Sequence, residues 1–204
     1  MRLLAIVFSV VLMACSKVQA PPAPALNPTA APAPTPEPTV TAAQGSESYS
    51  ALLREEDETW CAYKNPTDFQ AKAESVKPTD SARVTFTGDK LTELTYQIEA
   101  ESGDWILVDK YTPNDWGGVV LRRVNLLAQA NLRVIQETVI RGGKADPFHV
   151  VSVSTLDGGT RAELSPDVDL PEVPVKTDLL AVTPVQVVVQ LRSQVIAELC
   201  KKVN

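Results

Sequence analysis

One histidine, His149, serves the whole 204-residue chain. A histidine-rich metal site is therefore excluded, and a histidine base would have to act without a second imidazole. Alone in an apolar run, His149 reads as a strand residue, not a catalyst. The chain also lacks G-x-S-x-G, H-E-x-x-H, C-x-x-C and phosphate-loop patterns, so the common local signatures of acyl transfer, zinc hydrolysis, dithiol exchange and nucleotide binding are missing. Basic residues are in deficit, 19 against 25 acidic ones, giving a net charge of −6. Such a surface repels phosphate backbones, which excludes nucleic acid as a partner. No cofactor and no metal are expected. The loop carboxylates Asp167, Asp169 and Glu172 lack the glycine and fixed spacing of a calcium loop and read as a solvated acidic stretch.

Long hydrophobic runs are scarce as well, with one exception at the start. Residues 3–13 are apolar apart from Ser9 and follow Arg2. As a helix they reach about 16 Å, half of a hydrocarbon core, which marks the apolar region of an export signal and not a membrane span. Behind it stand Leu12, Met13, Ala14 and Cys15. This stretch resembles the lipobox of bacterial lipoprotein signal peptides. The resemblance implies cleavage after residue 14, a lipid-bearing Cys15, and attachment to a membrane through several acyl chains, each held by about 0.8 kcal/mol per buried methylene. It further implies, because Ser16 is not aspartate, sorting to an outer membrane facing the periplasm.

With Cys15 assigned to lipid, Cys61 and Cys200 remain. In an oxidising compartment they either pair as a disulfide or stay as two buried thiols. Residues 15–45 form a linker rich in proline, alanine and threonine, with eight prolines between Pro21 and Pro38. Proline removes backbone donors and favours extended polyproline II, so this stretch acts as a spacer reaching up to about 90 Å.

Residues 46–204 read as one α+β domain. Residues 48–63 carry Leu52, Leu53, Trp60 and Tyr63 at helical spacing beside the acidic Glu55, Asp57 and Glu58, which predicts an N-terminal helix. Pro66-Thr67-Asp68 opens a second, short helix. Short apolar runs separated by turn residues then predict an antiparallel meander of about six strands, over residues 82–87, 91–99, 105–111, 119–127, 132–141 and 148–155. Of these, 119–127 is ambiguous between strand and helix and is read as a strand for its valines and the Gln129-Ala130-Asn131 break that follows. A proline-containing loop covers residues 161–183. Thr183-Pro184 opens a C-terminal helix running down to Cys200, although Val185, Val187, Val189 and Leu191 also alternate as a strand would.

Trp116, in the loop Thr112-Pro113-Asn114-Asp115-Trp116-Gly117-Gly118, lacks periodic neighbours to bury it and is the candidate partner contact, with Arg122 and Arg123 nearby in sequence. The functional expectation is a non-enzymatic, lipid-anchored envelope protein that binds another envelope protein or a cell-wall component. The alternative is a lipid-anchored hydrolase acting on wall glycan or peptide through two carboxylates, which meet in space and not in sequence.

Overall fold

The computed structural model describes residues 45–202. The signal segment 1–14, Cys15 and the linker up to residue 44 lie outside the described residues. Ten strands and two α-helices follow in the order β1 (Ser46–Arg54), β2 (Thr59–Tyr63), α1 (Pro66–Val76), β3 (Asp80–Thr87), β4 (Lys90–Glu99), β5 (Trp105–Pro113), β6 (Val119–Leu127), β7 (Leu132–Arg141), β8 (Lys144–Ala145), β9 (His149–Thr155), α2 (Thr183–Arg192) and β10 (Glu198–Lys202). Every pairing is antiparallel, in the spatial order β10-β2-β1-β3-β4-β5-β6-β7-β8, with β9 also paired to β7. The architecture is α+β, and its sheet is larger than a six-stranded meander.

Burial on strands β3, β5 and β6 follows the period of two. Ala82, Val84 and Phe86 on β3, and Leu107, Asp109 and Tyr111 on β5, are buried on one face, which we call inner. Helix α2 closes that face: Val185, Val187, Val188 and Leu191 pack with Ala51, Trp60, Ala82, Val84 and Leu94. Its start fits the sequence reading, with Pro184 in the first turn where a missing N–H costs nothing. Helix α1 begins at Pro66, capped by the Asn65 side chain, which accepts from the Thr67 N–H at 2.9 Å. It lies on the outer face of β1 and β2, where Phe69 and Ala73 cover Leu52, Cys61 and Tyr63.

Two expected helices are corrected. Residues 48–63 form the β1–β2 hairpin, not a helix. Both faces of this hairpin are covered, one by α2 and the other by α1, so apolar residues follow one another without alternation and imitate helical spacing. The acidic run is its turn: Glu55–Asp57 make one 3-10 turn, and Glu58 takes the left-handed conformation that reverses the chain. At the other end α2 stops at Arg192, and Cys200 sits on β10, an edge strand. Cys61 and Cys200 do pair. They stand directly opposite each other in the β2–β10 register with Cα atoms 4.0 Å apart, so the bond joins two strands rather than two helix ends.

Candidate functional site

Trp116 is 93% exposed at the tip of the β5–β6 turn. The turn beneath it is well tied. The Asn114 side-chain oxygen accepts from the Trp116 N–H at 3.1 Å and the Gly118 N–H at 2.9 Å, while the Asn114 N–H donates to the Gly118 carbonyl at 2.9 Å. Gly117, at φ 76°, supplies the left-handed step that a side chain would strain. The indole is thus held out on a braced loop.

Arg122 and Arg123 do not join it in one patch, because neighbours on a strand point to opposite faces. Arg122 is on the outer face, 3.2 Å from Glu137, with His149 4.0 Å from the other oxygen of the same carboxylate. Arg123 is 4% exposed on the inner face, which corrects its expected role as a surface contact. Its Nε and Nη2 donate to the two Asp109 carboxylate oxygens, each at 2.7 Å, and its guanidinium stacks 4.8 Å from the Phe148 ring centre. The Tyr111 hydroxyl donates to Asp109 Oδ2 at 3.2 Å and accepts from the Lys176 N–H at 3.1 Å. Burial first, and then the Asp109 charge, push the Tyr111 phenol well above its ordinary range, so it stays protonated as a donor. This network pins the 161–182 segment to β5 and β6. It is a strut, because its polar atoms face one another and not a cavity.

The outer face is covered unevenly. Helix α1 caps β1 and β2, but no described element packs over β5, β6 and β7. There Val108, Val124 and Ile135 lie in one cross-strand row, and Ile106 and Leu126 in the next. Apart from Ile135 these side chains are only half-buried. A hollow of about 480 Å³ opens beside them, lined by Val108, Val124, Leu126, Arg133 and Leu156. Along the next row run Lys110, bonded to Glu93 at 2.6 Å, and the Arg122–Glu137 pair. The result is an aliphatic centre with a charged, internally neutralised rim. Sequence reasoning passed over this face, yet its signal was present. Trp105, Ile106, Leu107 and Val108 are apolar on both faces of β5, whereas a strand with one solvated face alternates.

A second cleft, of about 580 Å³, lies between the 174–184 segment and the sheet, bordered by Trp60, Tyr96 and Lys176. Trp60 and Tyr96 are 5.8 Å apart and the Lys176 ammonium is 5.7 Å from the Tyr96 ring. Trp60 is only 4% exposed, so its ring serves the core more than the cleft. Asp167, Asp169 and Glu172 do not converge. Among the described residues only Cys61, Glu198 and Cys200 bring three potential donor atoms within 4.8 Å, and those two sulfurs are bonded to each other. Comparison with known proteins finds no family, no individual protein and no solved structure that matches the chain.

Proposed function

We propose that the protein is a lipid-anchored cell-envelope protein whose folded part binds another envelope protein through the uncovered outer face of β5, β6 and β7. The observation that carries this reading is the aliphatic block of Ile106, Val108, Val124 and Leu126, which no element of the described residues covers while the opposite end of the same face is capped by α1. An apolar centre inside a polar rim is the anatomy of a protein interface, where desolvated aliphatic and aromatic contacts supply affinity and rim charges supply register. The lipobox-like segment and the proline-rich linker supply address and reach. Arg122 belongs to the rim of this surface, through its pair with Glu137.

Photocrosslinking in intact cells tests the reading. A photoreactive residue at position 124 is expected to give one discrete protein adduct, and the same residue at Thr85, on the outer face of β3, is expected to give none. Adding Val108→Asp should lower the adduct yield about tenfold, the effect of removing one interface anchor and burying a charge. Equal adducts at both positions, or label transferred to wall glycan instead of protein, would contradict it.

A further inference from the structure

We infer that the end of the sheet at which the linker enters rests on a lipid bilayer, through Trp116 and through Val195 and Ile196. The inference relies on the lipid-anchor reading above and adds an orientation and a membrane-contact surface to it. Three observations place these residues at one end. Ser46, the first strand residue after the linker, pairs with Thr87 beside the Gly88 turn. Lys90, across that turn, reaches Asp115 at 3.3 Å and so brings the Trp116 loop alongside. Arg192, at the end of α2, donates to the Gly88 carbonyl at 2.6 Å and lies 3.6 Å from Glu47, so the segment that follows the helix emerges at the same place.

That segment carries Val195, 105% exposed, and Ile196, 43% exposed. It is tied down on both sides of the apolar pair: the Lys64 ammonium donates to the Gln194 carbonyl and the Lys64 N–H to the Ala197 carbonyl at 3.1 Å. Two braced loops on separate elements therefore expose an indole and two aliphatic side chains at one end of the sheet. Tryptophan is favoured at headgroup depth, where its ring is buried and its N–H stays wet, and aliphatic side chains are favoured just below.

Charge distinguishes the two ends. At the linker end Lys64, Lys90, Arg141, Lys144 and Arg192 stand beside Glu47, Asp89, Asp115 and Asp146, a near balance that anionic headgroups do not repel. The far end carries Glu55, Glu56, Asp57, Glu58, Glu101 and Asp104 beside Arg54, Lys77 and Lys202, an acidic excess that anionic headgroups repel. A weak contact suffices, because an anchored linker makes docking intramolecular. The strands then stand upright, and the outer face looks along the membrane toward a neighbour.

The test uses the full acylated chain reconstituted in phosphatidylcholine vesicles with and without bromine at carbons 6 and 7. The Trp116 emission, taken as the difference between wild type and Trp116→Phe, is expected to fall about twofold with brominated lipid. A Val195→Asp, Ile196→Asp double variant, folded by circular dichroism, should abolish the quenching. Protein that floats with vesicles but is not quenched, or is quenched equally in the double variant, overturns the inference alone. Protein that fails to float overturns the anchor, and the inference with it.

Discussion

Cys200→Ser lowers the unfolding free energy by about 3–5 kcal/mol, the loss expected for opening a very long loop in a chain-entropy description. The bond spans 139 residues and encloses nearly all of the sheet, so it removes many conformations from the unfolded chain. Cys200 is exposed, and serine there buries no new polar group. Cys61 is fully buried under α1, and Cys61→Ser should lose still more because it also buries a hydroxyl against Leu52 and Phe69. Urea unfolding of the variant against wild type reads the difference. A change below about 1 kcal/mol would mean that β10 is held by α2 and the β2 ladder without the covalent link.

Arg123→Ala is the second large effect, at about 3–5 kcal/mol, because it strands the Asp109 carboxylate in the core with only the Tyr111 hydroxyl to solvate it. Asp109→Ala should cost a similar amount by leaving the guanidinium unpaired. The cause is desolvation, so replacing both partners with apolar residues of similar volume, Asp109→Leu with Arg123→Met, should recover most of the loss. A double-mutant cycle measures this as strong coupling between the two sites. Arg122→Ala, one residue away on the solvated face, should change stability by less than about 1 kcal/mol. Equal effects at 122 and 123 would contradict the assignment of the buried strut.

The contrast between those two arginines shows where the sequence was readable and where it was not. Strands β3 and β4 were legible because Val84 and Phe86, and then Leu94, Tyr96 and Ile98, fall at a period of two beside the Gly88 and Gly103 turns. The partner of Arg123 was not, since the register that sets Asp109 opposite it is fixed by pairing between strands and leaves no trace in local spacing. The β1–β2 hairpin misled for a related reason. Cover on both faces removed the alternation that identifies a strand, and four successive acidic residues that resemble a helix surface turned out to be its turn. At the other end of the chain, Val195 and Ile196 continued the apolar spacing of α2, but the helix stops at Arg192, whose guanidinium bonds the Gly88 carbonyl and stacks 4.2 Å from the Phe86 ring centre. Trp116 was the easiest candidate to place: a tryptophan among proline, asparagine and glycine has no periodic neighbour to bury it, and it is in solvent.

The proposed envelope address, spacer and membrane-resting end all depend on a thioether at residue 15. Intact-mass spectrometry of protein extracted from cell membranes measures it directly. The account predicts a polypeptide that begins at Cys15 and exceeds its peptide mass by a diacylglyceryl group and an acyl chain. A chain still carrying residues 1–14, or one with an unmodified thiol at residue 15, would contradict it.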